Sequence, residues 1–186
     1  MNIPWASAGA FKFVTNVGLI TSDGPHGPNI MSAEWTHQVS YNPGLIAVCL
    51  GPNKATTENI QKAKKFGVNI AAVDQNVIAS VSGGSTGKEV NKISALKELG
   101  FTFYTGKNGL LLVEGAALNA ECKLFQEIPL GDHSMFVGEV TELNITKKEP
   151  LAYHQGKYWK LTETIPKPSD KERERMMKIV EKYRKK

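Results

Sequence analysis

Cysteine is nearly absent. Cys49 and Cys122 are the two in 186 residues, both in apolar, strand-like stretches without CxxC spacing or a metal-ligand neighbour. That argues against a disulfide scaffold and a zinc centre, and predicts buried free thiols in a reducing compartment. The four histidines (His26, His37, His133 and His154) are scattered without HxxxH spacing, so no structural metal is expected. Long apolar runs are missing too. The longest candidates, Leu45–Leu50 and Leu110–Val113, fall far short of the roughly 18 residues of a membrane span, and no membrane partner is expected. The opening MNIPWASAGAF lacks a basic segment followed by an apolar core, so the expected location is cytoplasmic rather than secreted.

The body of the chain also lacks an excess of charge. The net charge is +5, yet residues 167–186 alone hold nine Lys/Arg against four Asp/Glu, which leaves residues 1–166 balanced. A basic face for nucleic acid is therefore not expected. The nucleotide fingerprints are missing as well. No G-x-G-x-x-G follows a strand, which removes a Rossmann site, and Gly87-Lys88 is followed by Glu89 rather than Ser or Thr, which removes a P-loop.

What is present is one domain's worth of strands. Phe11–Ser22 and Asn29–Ser40 read as a hairpin around the turn formers Asp23-Gly24-Pro25-His26-Gly27-Pro28. Asn42-Pro43-Gly44 turns into the apolar strand Leu45–Leu50. A helix is expected over Thr57–Lys65, capped by Asn53, Thr56 or Thr57, then a strand Phe66–Ala72 and helices Asp74–Val81 and Lys88–Leu99, the second closed by Gly100. Phe101–Tyr104, Leu110–Leu118, Ala120–Gln126, Ser134–Ile145 and Tyr158–Leu161 complete the strands. Strands with few intervening helices suit an antiparallel barrel, mainly β with short helices. Pro166 and Pro168 divide a domain at 1–165 from a charged tail at 166–186, where Met176, Met177, Val180 and Tyr183 sit at helical spacing.

Two segments carry chemistry. Met31-Ser32-Ala33 is a strand of small side chains against which a flat ring can lie. The strand Leu45–Leu50 empties through Gly51-Pro52-Asn53 into Lys54-Ala55-Thr56-Thr57 at a helix start, where a lysine, two hydroxyls and free N–H groups favour a phosphate. A flat seat beside a phosphate socket is what FMN requires. A competing pattern lies at Gly83–Gly87, which matches the G-x-S-x-G nucleophile elbow and would make Ser85 a hydrolase nucleophile with Asp132 and His133 or His154 as partners. The stretch before it reads as helix, which weighs against that fold.

Lys54-Ala55-Thr56, together with Gly131-Asp132-His133 leading into Ser134-Met135-Phe136-Val137-Gly138-Glu139-Val140, resembles the flavin reductase-like family over roughly residues 10–162. These are FMN-binding split β-barrels that include NAD(P)H:flavin reductases, ferric reductases and flavoredoxins. The resemblance implies that Met31, Ser32, Ala33 and Trp35 line the isoalloxazine, with Cys49, Leu50 and Gly51 on its other side. It implies that Asn53, Lys54, Ala55 and Thr56 surround the phosphate and that Ser82 and Gly83 lie near the flavin, in a segment whose composition reads as a mobile loop beside the pocket. It places His133 over the ring to orient a nicotinamide, with Asp132 fixing the His or its turn. The implied reaction is hydride transfer from NADH or NADPH to flavin, with free flavin, a ferric chelate or a redox protein as acceptor, in a homodimer. A flavoredoxin-like carrier without a nicotinamide site is the alternative.

Overall fold

The computed structural model describes residues 5–185. The first four residues, part of the segment read for a secretory leader, and Lys186 of the tail lie outside that range. Helical turns over residues 5–12 lead into β1 (Thr15–Asn16), β2 (Gly18–Ser22), β3 (Asn29–Ala33), β4 (Thr36–Tyr41) and β5 (Gly44–Leu50). Then come α1 (Ala55–Ala63), β6 (Lys65–Ile70), α2 (Asn76–Gly84), α3 (Lys92–Glu98), β7 (Phe103–Thr105) and β8 (Leu111–Val113). The long strands β9 (Leu118–Leu130) and β10 (His133–Ile145), the hairpin β11 (Ala152–His154) and β12 (Lys157–Trp159), and α4 (Asp170–Lys182) end the chain.

Seven strands form one antiparallel sheet in the order β3-β2-β6-β9-β10-β5-β4. Its two edges, β3 and β4, are consecutive in the chain and joined only by Glu34 and Trp35. Six strand spacings of about 4.8 Å would put flat edges about 29 Å apart, whereas a two-residue link spans at most about 11 Å. The sheet must therefore roll into a barrel whose edges meet at the link without forming a ladder. The single strand expected over Asn29–Ser40 is thus two strands, broken at Glu34–Trp35. The expected strand Phe11–Ser22 is likewise broken, at Val17, whose carbonyl accepts from Ala71 N while its N–H donates to Leu151 O.

Alternation along β2 assigns Leu19 and Ile20 to different cores. Ile20 joins Val48, Leu50, Phe66, Val68, Ala120, Cys122 and Phe136 inside the barrel, and Ile60 of α1 is packed with them. Leu19 joins Ile30, Ile78, Ala79, Ile93, Leu96 and Val113 in a second layer, where α2 and α3 cover the outside of the sheet. Each large apolar side chain so buried contributes about 1.5–3 kcal/mol. A hydrogen-bonded pair of buried amides ties the layers together: Asn69 Nδ2 donates to Leu19 O (2.7 Å), and Asn119 Nδ2 donates to Asn69 Oδ1 (2.7 Å) and Val113 O (2.9 Å).

The helices depart from their sequence-based limits in ways that matter to function. α1 begins at Ala55, two residues early, with Lys54 as N-cap and no side-chain cap. α2 runs to Gly84, so Ser82 and Gly83 occupy a helical turn rather than a loop. α3 starts at Lys92, not Lys88, with the Asn91 side chain accepting from Ser94 N. It ends as expected near Gly100, which at φ 90° sits just past the cap. Phe101 N donates to Leu96 O and Gly100 N to Lys97 O, the paired bonds of a Schellman ending. In α4 the Ser169–Glu172 capping box holds the first turn, and none of its residues is buried.

Gly138 sits where β10 shifts register against β9. A Cβ there would lie 2.5 Å from Phe66 Cζ and 2.7 Å from Cys122 Cβ. We expect Gly138→Ala to lose about 1–3 kcal/mol in urea unfolding through overpacking, whereas Gly84→Ala, with open space around it, costs nothing. Equal stability of the two variants would contradict this account of the barrel interior.

Candidate functional site

Three adjoining cavities open where the edges of the barrel meet. The first, about 200 Å³, lies between α1 and α2 and is lined by Asn29, Met31, Ser32, Lys54, Ala55, Thr56 and the Ser82–Gly87 segment with Lys92. The second, about 250 Å³, lies at the link and takes in Met31, Ser32, Ala33, Glu34, Trp35, Cys49, Gly51, Lys54 and His133. The third, about 330 Å³, is lined among others by Asn16, Ser32, Glu34, Ala79, Tyr153 and Tyr158. Ser32 borders all three, so they form one groove along β3.

The α1–α2 cavity is built for an anion. Because Lys54 is extended and α1 has no side-chain cap, the N–H groups of its first turn face outward with the positive end of the helix dipole. Thr56 is buried, and its Oγ1 accepts from Asn29 Nδ2 at 2.8 Å, which leaves its own proton to donate. Thr57 is turned away, donating to Gly51 O at 2.8 Å. No acidic residue lines this cavity, and the Ser82 hydroxyl is buried with no partner among the described residues. The donor set fits a phosphate.

The segment Ser85–Val90 is strapped across one end. Lys88 and His26 both engage the Glu58 carboxylate, His26 at 2.6 Å, and together they hold it below the usual carboxylate range. Gly87 lies so close to Asn29 that a Cβ would come within 2.3 Å of its Oδ1.

At the link, small side chains leave the ring seat open. Ser32 Oγ donates to Ala79 O at 2.6 Å and so fixes α2 over β3, and Gly83 is near enough that its Cβ would touch that of Ser32 at 3.4 Å. Trp35 O accepts from Cys49 N at 3.0 Å, and the Trp35 ring stands 4.6 Å from that of His133. Gly131 turns at φ 57° to bring His133 back over this seat. His133 Nδ1 meets Asp132 Oδ1 at 2.8 Å, which leaves Nε2 for a substrate, and the same contact holds the Asp132 carboxyl below its ordinary range.

The structure thus gathers Met31, Ser32, Ala33, Trp35, Cys49, Gly51, Lys54 and His133 around one opening, and Ala55, Thr56, Ser82 and Gly83 around the next. Leu50 points elsewhere, fully buried in the barrel core, and Asn53 is exposed and lines neither cavity. Ser85 is not a nucleophile elbow. A helix rather than a strand precedes it, and the His133 ring packs on Trp35 in the neighbouring cavity. Sequence reasoning missed Lys92, 2% exposed, because a lysine beginning an amphipathic helix reads as solvated. It also missed Glu34, Tyr153 and Tyr158, which wall the third cavity. Among the described residues no group of three His, Cys, Asp or Glu is placed to hold a metal ion.

A rolled antiparallel barrel with a shallow seat and an anion socket at its seam is the architecture of the split-barrel flavin reductases. The chain belongs to the flavin reductase like domain family, whose model matches residues 10–162, and it is an oxidoreductase. An NADH-dependent FMN reductase of Streptomyces nodosus subsp. asukaensis is 28% identical over 77% of each chain. The solved flavin reductase PheA2 is 32% identical at a TM-score of 0.74, covering 88% of this chain and 100% of its own. The flavin reductase component BorF of a bacterial two-component tryptophan halogenase is 27% identical at a TM-score of 0.74, covering 86% and 98%.

Burial pushes the thiol pKa of Cys49 up, and that of Cys122 up to about 12. In the native protein at pH 8 we expect one thiol, Cys49 at the seat, to react slowly with a disulfide reagent, and Cys122 only after denaturation. Two fast thiols would contradict the geometry of the seat.

Proposed function

We propose that this chain is an NADH-dependent reductase that holds one FMN in the groove along β3. The observation that carries the reading is the continuity of the anion socket with the ring seat through Met31 and Ser32. When bound, FMN supplies a two-electron store that accepts hydride at ring N5 and passes the electrons onward. Lys54 pairs with the phosphate charge, while Thr56 and the α1 N–H groups donate to it. Met31, Ser32 and Ala33 leave room for the ring, and Gly51 and Cys49 bound its other side. His133, held through Nδ1, orients the nicotinamide from Nε2. Hydride transfer needs no strong base, and none is placed at the seat.

NADH as donor is supported by the names of the relatives. As acceptor we propose free flavin, named as the substrate of several relatives, rather than a ferric chelate or a redox protein. Val39 and Tyr41 are exposed on β4, an edge of the sheet, and we propose a homodimer through that edge. We also propose that residues 166–186 are an appendage to the barrel domain, and two free thiols suit a cytoplasmic site.

Anaerobic addition of NADH to the FMN-loaded protein should bleach the flavin bands. Bands that persist would favour an electron carrier of flavoredoxin type. His133→Ala should keep flavin affinity within about twofold and slow bleaching by about 10-fold or more, the loss of one positioning hydrogen bond. Lys54→Ala combined with Thr56→Ala should weaken FMN retention by about 10-fold or more. Unchanged retention would remove the phosphate from this socket.

A further inference from the structure

Lys92 lines the anion end of the groove, and nothing in the site described so far accounts for its chemistry. It is 2% exposed, and its ammonium donates to Ser82 O (3.0 Å) and Ser85 O (3.2 Å). Those carbonyls close the C-terminal end of α2, yet they carry only partial charge. No carboxylate among the described residues pairs with Lys92. A buried cation without a counter-charge is costly. Folds retain such a group where a ligand completes it.

The surroundings say which ligand. Lys92 lines the same 200 Å³ cavity as Lys54 and Thr56. Lys54 approaches it from the start of α1 and adds repulsion. β3 and α2 carry no ionisable side chain. On the Ser85–Asn91 segment Lys88 is held by Glu58 of α1, itself shared with His26, and neither of these acids and bases lines the cavity, nor does Glu89. The result is a socket with two lysines, no acid, and an unpartnered hydroxyl at Ser82.

Resting on the reading of the groove as a flavin site, we propose that Lys92 is the buried counter-cation of the flavin's phosphate, and that flavin capture is thereby selective for the phosphomonoester dianion and linked to proton uptake. Burial first, and Lys54 second, bring the ammonium of the free protein down to about 8. A dianion beside it restores the charged form. The phosphate's second proton leaves near pH 6, so above that pH it meets the socket doubly charged. As pH rises through about 8, the free protein loses the Lys92 proton that the complex requires. FMN affinity must then fall, with a proton taken up on binding.

The test compares FMN with riboflavin, which has the same ring and no phosphate, by fluorescence quenching and by calorimetry in buffers of different ionisation enthalpy. Wild-type protein should bind FMN more tightly than riboflavin, and the ratio should decline above pH 8 with measurable proton uptake. Lys92→Met should weaken FMN by about 10- to 100-fold, the loss of a buried charge-assisted contact. Riboflavin affinity should stay within about twofold and the pH slope should vanish. Lys92→Arg should retain the preference and lose the slope near pH 8. If FMN and riboflavin weaken in parallel in Lys92→Met, Lys92 only caps α2 and the proposal fails. Equal wild-type affinities, or a pH-independent ratio, also overturn it while leaving the flavin site standing. A wild-type protein that binds neither flavin overturns the function and this proposal together. The wild-type pH profile decides the question even if the methionine variant does not fold.

Discussion

The two-residue link between β3 and β4 is the constraint on which the rest of the molecule depends. Because the edges of a seven-stranded sheet are consecutive in sequence, the sheet has no choice but to close, and the seam falls where the chain crosses. Closure lowers the exposure of unpaired edges that a flat sheet of this width would present. It also sets the groove at the seam. Ser32 and Ala33 end one edge, Trp35 lies in the crossing, and Cys49 of β5 is tied to Trp35 O by a 3.0 Å hydrogen bond. His133 joins them because the β9–β10 turn returns beside the end of β5, with Ser134 opposite Leu50. Residues far apart in the chain meet through strand register rather than through any local motif.

Electrostatics divide the groove into two ends. At the α1–α2 end every charged side chain that lines the cavity is a lysine, and the helix start adds its own positive potential. At the link Glu34 and Lys54 bring opposite charges to the seat, beside the His133 imidazole. A ligand with an anionic head and an uncharged ring is thereby oriented before any contact with the ring is made. The acids nearest the anion end, Glu58 above all, are occupied by Lys88 and His26. That arrangement keeps negative charge out of the cavity while pinning the segment that covers it.

The hairpin of β2 and β3, the strand Leu45–Leu50, the long strand β10 and the middle of β9, and the lysine and hydroxyls at Lys54–Thr56 were legible because each has a local signature: turn formers, an apolar run, alternation, or polar donors at a helix start. The expected strand Leu110–Leu118, by contrast, divides into β8 and the first residue of β9. The break at Glu34–Trp35 was not legible, since the run Asn29–Ser40 alternates without a Gly or Pro to mark it. The last turn of α2 was hidden for the opposite reason. Ser82-Gly83-Gly84 has the composition of a loop, and its helical state depends on contacts remote in sequence, the Lys92 ammonium on Ser82 O and the fit of Gly83 against Ser32. Glycine there has a packing reason as well, because α2 can then lie close to β3. Lys92 itself could not be read from periodicity. Ile93 and Leu96 define the buried stripe of α3, and a lysine next to them is expected in solvent.

That buried lysine also shows how the two cores share the work. A cation held without a carboxylate destabilises the free protein. The cost falls at a seam that closure of the barrel has already fixed, so the barrel core of Phe66, Phe136 and Val68 can offset it without rearrangement. The layer of Leu19, Ile30, Ile78 and Leu96 then sets where α2 and α3 stand, and with them Ser82 and Lys92. Had the socket been placed on an open loop, the ammonium would have turned to water and the selectivity for an anion would have gone with it. The rigidity of a closed sheet is what lets an unfavourable charge persist long enough to serve as a binding site.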